Sequence, residues 1–413
     1  MNGPGESTLT ESDPNRALVP FAPTAFQWID STEDWSEFAR SLKNAALVAL
    51  DVEADGFHRY PERLSLIQIA LPGPKIAVLD PLSVTGLSDL GVVLADPRQV
   101  KVLHAASYDV RALQRDLGFT LRGLYDTSIA AQFLGLERTG LAAVLQEVLG
   151  VDLAKSKRLQ RMDWSQRPLP EAALAYAADD VAHLLDLYHV MVDRIANLGR
   201  SAWVAEECQR LESFRQEPPP SSHDACLQVK GAKELDDQGR AVLHALYCFR
   251  EQEALRLGRP PYRVMGNETM LTLARDPGQR LESLPGIGRP YLGPRRRALL
   301  AALTQGRQDP PLRWPRHGAA SRWTGEQRDR LTRLKAWREA EAARLGLSAG
   351  LVWSARHLDQ LALHPDVDPR ELDLGEVRGD LPWIRRWQWD ALGDALRSRL
   401  VTLVASSATP PGM

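Results

Sequence analysis

Ala46-Leu-Val-Ala-Leu-Asp-Val-Glu53 is an apolar run that closes on two carboxylates at alternate positions. An extended strand repeats every two residues, so Asp51 and Glu53 leave the same face and can share one cation. Strands commonly end in charged loop residues, so this pair alone does not separate a site from a strand terminus. Working outward, short β-branched or apolar runs recur at Ser65–Leu71, Lys75–Leu79 and Val100–His104, divided by turn-rich pieces such as Leu71-Pro-Gly-Pro-Lys75. Helical periodicity marks Trp35–Lys43, Ser107–Leu117, Thr127–Leu134, Leu141–Leu149, Glu171 through Arg194, and Ala202–Phe214. Strands interleaved with helices predict an α/β domain over residues 25–214, preceded by a Gly-, Pro- and Ser-rich flexible leader at 1–24.

Two later segments bring further acids. Val100-Lys-Val-Leu-His-Ala-Ala-Ser-Tyr-Asp109 reads as a buried strand, a small-residue turn and an acid in the first turn of a helix. Asp109 then serves either a site or the helix dipole. In Tyr176-Ala-Ala-Asp-Asp180 the phenol and the last carboxylate are four apart, on one helix face. Neighbouring Asp179 points about 100° away around the helix and drops out. Asp55 follows the strand pair, but Gly56 predicts a turn there. His104 ends a buried strand and reads first as a packing or hydrogen-bonding residue, and Asp126 reads first as an N-cap for the next helix.

These segments resemble, in order, the three exonuclease motifs of the DEDD superfamily in its tyrosine-bearing branch: Asp51-Val-Glu53, Asp109 after His104, and Tyr176 with Asp180. Arg63-Leu-Ser-Leu-Ile-Gln-Ile-Ala70, Tyr125-Asp-Thr127 and Lys155-Ser-Lys-Arg-Leu-Gln-Arg-Met-Asp-Trp-Ser-Gln-Arg-Pro-Leu169 also resemble ribonuclease D. The resemblance implies a ribonuclease H-like mixed sheet flanked by helices. It implies a 3′→5′ exoribonuclease that releases nucleoside 5′-monophosphates, with Asp51, Glu53, Asp109 and Asp180 holding two divalent ions and Tyr176 orienting the nucleophile. Asp51 would bridge the ions. Four carboxylates without cysteine suit hard, oxygen-preferring Mg²⁺ or Mn²⁺, and two such ions compensate charge on attacking and leaving oxygens. The cations Lys155, Lys157, Arg158, Arg161 and Arg167 precede the third motif, either as a solvated run or as phosphate contacts. Phe57 and Gln68 are expected at the terminal nucleotide, by stacking and by hydrogen bonding.

Beyond Glu217-Pro-Pro-Pro-Ser-Ser-His-Asp224 the strand signals vanish, and a linker is expected at 215–227. Arg250-Glu-Gln-Glu-Ala-Leu-Arg-Leu-Gly258 recurs as Arg338-Glu-Ala-Glu-Ala-Ala-Arg-Leu-Gly346, each a helix stopped by glycine. The pattern predicts two small all-α domains at 228–306 and 323–405, joined by an Arg- and Pro-rich linker at 307–322 and followed by a flexible tail at 406–413. The first resembles the helicase-and-ribonuclease-D C-terminal (HRDC) domain through Gly258-Arg-Pro-Pro-Tyr-Arg-Val-Met265 and Leu284-Pro-Gly-Ile-Gly288; the second lacks the Pro-Pro-Tyr element. Between Gly286 and Trp323 lie eight arginines, among them Arg295, Arg296 and Arg297, and one acid, Asp309. Their interleaving with Tyr291, Trp314 and Trp323 suits a single strand, or else a basic linker with core aromatics. The tryptophans of 383–389 read as core.

A net charge of −2 excludes binding by bulk polycationic attraction, so any nucleic-acid contact must be local. The three cysteines, Cys208, Cys226 and Cys248, lack metal or disulfide spacing and read as reduced thiols of a cytoplasmic protein. No run reaches the ~18 apolar residues of a membrane helix, and no secretory signal pattern is present. The expected partners are single-stranded 3′ ends of RNA such as transfer-RNA precursors. Two competing readings are a DNA exonuclease of repair, since the motifs do not select the sugar, and a non-catalytic nucleic-acid scaffold, which the filled catalytic positions disfavour.

Overall fold

A computed structural model of the protein describes residues 24–73, 75–153, 156–214, 220–314, 323–371 and 384–407. Strands β1 (Gln27–Ile29), β2 (Leu47–Ala54), β3 (Leu64–Leu71), β4 (Lys75–Leu79), β5 (Val100–Leu103) and β6 (Leu124–Asp126) form one sheet in the order β1-β4-β3-β2-β5-β6. β2 and β3 pair antiparallel, as do β3 and β4, whereas β2 with β5 and β5 with β6 are parallel. All eight residues of β3 are buried, which explains its unbroken apolar spelling. Helices α1 (Thr32–Asn44), α2 (Ser88–Ala95), α3 (Ser107–Leu117), α4 (Thr127–Phe133), α5 (Leu141–Leu149), α6 (Glu171–Ala182), α7 (Leu184–Asn197) and α8 (Ser201–Glu212) flank it. The mixed sheet flanked by helices is the fold class read from the sequence. β1, β6 and α2 were not read there, and the long helix expected from Glu171 breaks at His183.

Side chains from one element hold the next in place. Asp126, at the end of β6, caps α4 by accepting from the Ser128 N–H at 2.8 Å. Its carboxylate also accepts the N–H groups of Ala105 and Ala106, at 3.0 and 2.8 Å. Ala105 has φ +58°, a conformation that costs an L-residue about 1 kcal/mol and persists because those bonds hold it. This turn starts α3 and thereby aims Asp109.

Arg167 does for α6 what Asp126 does for α3. Its guanidinium donates to both oxygens of Asp80, at 2.6 and 2.7 Å, and to the carbonyls of Ser65, Trp164 and Gln166. Every polar direction of the fork is taken, so the expected phosphate contact at Arg167 is corrected: the residue ties the approach to α6 onto the sheet.

Beyond α8 the chain is helical. The linker expected at 215–227 is interrupted by the helix Ser222–Leu227, capped by Ser221 and seated through buried Cys226 and Leu227. Helices of 21, 4 and 9 residues, Asp237–Leu257, Pro261–Val264 and Asn267–Arg275, recur with the same lengths as Gly325–Leu345, Ala349–Val352 and Ala355–Leu363. Arg296–Gln308 and Arg386–Ser407 close the respective units. Residues 310–314, expected in the second linker, fold back on the first unit: the Leu312 carbonyl accepts from Arg240 at 2.9 Å. Residues 315–322 of that linker lie outside the described residues.

The units bury their faces differently. The first has its own core around Leu243, Leu246, Met270 and Leu299. The second shares the core of the α/β domain, where Trp387 packs against Phe133 at 5.1 Å and Trp203 at 4.9 Å between ring centroids. Glu206 accepts the Arg386 and Trp387 N–H groups at 2.7 and 2.9 Å, capping the last helix from the other domain.

Asp80 is 1% exposed, and its carboxyl lies below the usual range because the Arg167 bonds outweigh the upward pull of burial. That stability is present at neutral pH and lost as pH falls through the depressed pKa. Arg167→Met leaves a buried charge unpaired and should destabilise the chain by about 3–5 kcal/mol in urea unfolding. Adding Asp80→Asn should recover part of the loss; an unchanged midpoint for Arg167→Met contradicts the clamp.

Candidate active site

The strand register builds the site. Pairing of β2 with β5 stops at Ala49 opposite Val102, and farther along β2 the Val52 N–H donates to Asp109 Oδ1 at 3.1 Å. Asp109 thus replaces a strand partner and lies beside Asp51. The register of β2 with β3 shifts between Glu53 and Ala54, a bulge that ends regular pairing at the site. Helix α6 packs across β2, β3 and β4 and brings Tyr176 and Asp180 over the strand pair. Carboxylate oxygens of Asp51, Glu53 and Asp180 all lie within 4.8 Å of one another. These three acids, Asp109 and Tyr176 line one cavity of about 310 Å³, together with His104, Tyr108, Leu141 and Gln160.

Electrostatically the cluster repels itself. At that spacing each pair of ionised carboxylates opposes the other by about 3 kcal/mol at an effective dielectric near 20. Burial pushes Glu53 up to about 9, and Asp51, Asp180 and Asp109 add to the rise. Burial likewise raises Asp51 to about 7, and holds Asp109 and Asp180 well above the carboxylate range with Asp51 as their next cause. Among the described residues, the side-chain charges that shift these four acids are those of other carboxylates. An oxygen-only donor set with surplus negative charge fits a hard divalent cation, which would neutralise it. Tyr176 is pushed up to about 12, first by burial and then by Asp180, so its phenol keeps its proton at neutral pH. Trp164 holds the ring by stacking at 6.5 Å.

The remaining acids have other work. Asp179 turns to Thr24, whose hydroxyl donates to it. Asp55 is 3% exposed and closes the loop after β2 by accepting the Arg63 N–H at 2.7 Å. His104 hydrogen-bonds Thr127 Oγ1 at 2.9 Å while bordering the cavity.

The expected nucleic-acid contacts divide. Phe57 is exposed beside Glu53, and Lys157, Arg158 and Arg161 are exposed in the segment ahead of α6. Lys155 lies outside the described residues. Gln68 is corrected: opposite Asp51 in β3 and fully buried, with α6 packed against that strand, it cannot reach a nucleotide. Arg295 is corrected too, since the buried Glu253 carboxylate binds it together with Arg256. Arg296 pairs with Glu282 at the surface, and Arg297 is exposed.

Residue-type reasoning passed over Tyr108 and Gln160, which border the acids. Tyr108 immediately precedes Asp109, and Gln160 stands within the Lys155–Leu169 stretch, so their positions in recognised segments were the available signal.

Comparison with known proteins agrees with this geometry. A family model described as 3′-5′ exonuclease matches residues 26–196, and one described as HRDC domain matches 239–303. A ribonuclease D of Pseudomonas paraeruginosa is 30% identical over 382 residues, spanning 91% of this chain and 97% of the relative. One of Gluconacetobacter diazotrophicus is 29% identical over 375 residues, spanning 89% and 90%. Among solved structures, Escherichia coli RNase D, an exoribonuclease involved in structured RNA processing, superposes with TM-score 0.71 at 26% identity, covering 92% of this chain and 99% of that one. The acidic centre therefore sits in a protein that aligns with ribonuclease D nearly end to end, and the chain belongs to the ribonuclease D family of 3′-5′ exoribonucleases.

Proposed function

We propose that the chain trims transfer-RNA precursors or other structured RNA from the 3′ end in the cytoplasm, with two Mg²⁺ or Mn²⁺ ions held by Asp51, Glu53, Asp109 and Asp180. The observation that carries this reading is the mutual repulsion of those carboxylates around one cavity, with no cation of the described residues among the causes that shift them. Divalent ions there neutralise the acids, acidify water and offset the charge on the phosphate oxygens. The protein's own groups do the positioning. Tyr176, protonated at neutral pH, donates a hydrogen bond and does not act as a base. Exposed Lys157, Arg158 and Arg161 attract the phosphates of the incoming strand.

RNA as substrate is supported by the Escherichia coli relative, which processes structured RNA and whose chain is matched almost completely. No helix among the described residues is long and apolar enough to cross a membrane, consistent with a cytoplasmic site of action. The domains are the exonuclease at 25–214, an HRDC domain at 228–306, and a second, divergent HRDC-like unit at 323–405, whose helix lengths repeat those of the first.

Asp51→Asn should reduce nucleotide release by roughly 10²–10³-fold or more. The metal-free variant should also melt at or above the unaltered chain at pH 8, because one repelling charge is gone. Full activity in Asp51→Asn contradicts the assignment. With 5′-labelled RNA, digestion should give a ladder that shortens progressively, while 3′-labelled RNA should yield labelled mononucleotide from the first turnover. Faster digestion of DNA of the same sequence contradicts the choice of RNA.

A further inference from the structure

A second cavity of about 380 Å³ opens beside the acids, bordered by Glu53, Gly56, Phe57, Glu62, Tyr108, Gln160 and Tyr262. Three large aromatic side chains of its rim are unusually exposed: Phe57 at 53%, Tyr108 at 39% and Tyr262 at 55%. Exposed rings gathered around one concavity mark a ligand site, and this volume suits a small planar group. The polar wall is Glu62. Tyr108 donates to it at 3.2 Å, and Arg115 pairs with it. Gly56 makes room for this carboxylate: a Cβ there would come within 2.3 Å of Glu62 Oε2.

Tyr262 comes from the first helical unit, more than two hundred residues along the chain from Phe57. Its hydroxyl donates to the Phe57 carbonyl at 2.8 Å. Two further contacts fix the unit against the same loop: the Tyr60 hydroxyl donates to Glu251 at 2.6 Å, and Arg263 meets His58 at 3.3 Å. The unit is therefore held where Tyr262 completes the rim of a cavity that shares Glu53, Tyr108 and Gln160 with the acidic one.

We infer that this cavity receives a nucleobase next to the scissile phosphate, and that Tyr262 of the helical unit stacks on that base as a positioning residue. The inference rests on the exonuclease reading above. The cavity directly adjoins Glu53, so a base held there leaves its phosphate at the acids. Stacking accepts any base, and Glu62 and Gln160 supply polar contacts at the edge. The helical unit thus enters the active site itself.

The test uses the full chain with Mg²⁺ or Mn²⁺ and two RNA oligonucleotides, one intact and one abasic at its last two positions. Loss of one stacking partner weakens base binding by roughly ten- to a hundredfold. Tyr262→Ala should raise KM for intact RNA by about that factor, with a much smaller effect on the abasic substrate. Tyr262→Phe keeps the ring but loses the bond to Phe57, and should stay near the unaltered chain on both substrates. Three outcomes overturn the subsite: an unchanged KM for Tyr262→Ala, equal losses on both substrates, or a Tyr262→Phe as impaired as Tyr262→Ala. The last two would assign Tyr262 to holding the domains together. Absence of nucleotide release by the unaltered chain would instead overturn the exonuclease reading.

Discussion

Like charge held close in a partly desolvated cavity is the constraint on which this structure turns. Asp51 and Glu53 cannot separate, because the strand fixes them on one face, and α6 adds Asp180 within 4.8 Å. A fold left with this cluster uncompensated carries a cost that depends on pH. Burial has raised Glu53 to about 9 and Asp51 to about 7, so the metal-free protein holds protons at neutral pH that its unfolded chain would release. Its stability accordingly falls as pH rises through that window, until a cation replaces the protons. The surrounding structure keeps the acids from relaxing: Asp126 pins the turn before α3, Arg167 pins the approach to α6, and Val52 bonds Asp109 directly.

The two helical units show how one repeated design serves different ends. Both begin with a 21-residue helix ended by glycine, but the second has spent its apolar face on the α/β core through Trp387 and its neighbours. Removing it would strip a large buried surface from the exonuclease domain and cannot serve as a clean test of strand binding. The first unit keeps its own core and meets the α/β domain chiefly through the polar loop after β2. This thinner contact lies at the substrate side, where a residue such as Tyr262 can bear on binding without carrying the fold.

Much of this was legible in the sequence because the decisive signals are local. The period of two in β2 and the four-residue spacing of Tyr176 and Asp180 put the right side chains on common faces. Strands β1 and β6 escaped because three residues are too few to display alternation. The roles of Arg167 and Arg295 escaped for a common reason, each being a cation whose buried carboxylate partner lies far away in sequence, whereas that of Gln68 escaped because the helix that covers its strand comes about a hundred residues later. Asp80 is 87 positions from Arg167 and Glu253 is 42 from Arg295, and nothing local announces either pair. Tyr262 was hidden in the same way, since its meaning depends on a loop at the other end of the chain.

Proton release on metal binding tests the repulsive centre most directly. Calorimetric titration of Mg²⁺ or Mn²⁺ into the metal-free protein, repeated in buffers of different ionisation enthalpy, counts the protons displaced. At pH 6.5 at least about one proton per chain should be released, with affinity rising as pH rises, and release should fade toward pH 10 as Asp51 and Glu53 ionise unaided. Binding with no proton release from pH 6 to 9 would mean that the acids are already ionised, and would contradict a centre built on suppressed charge.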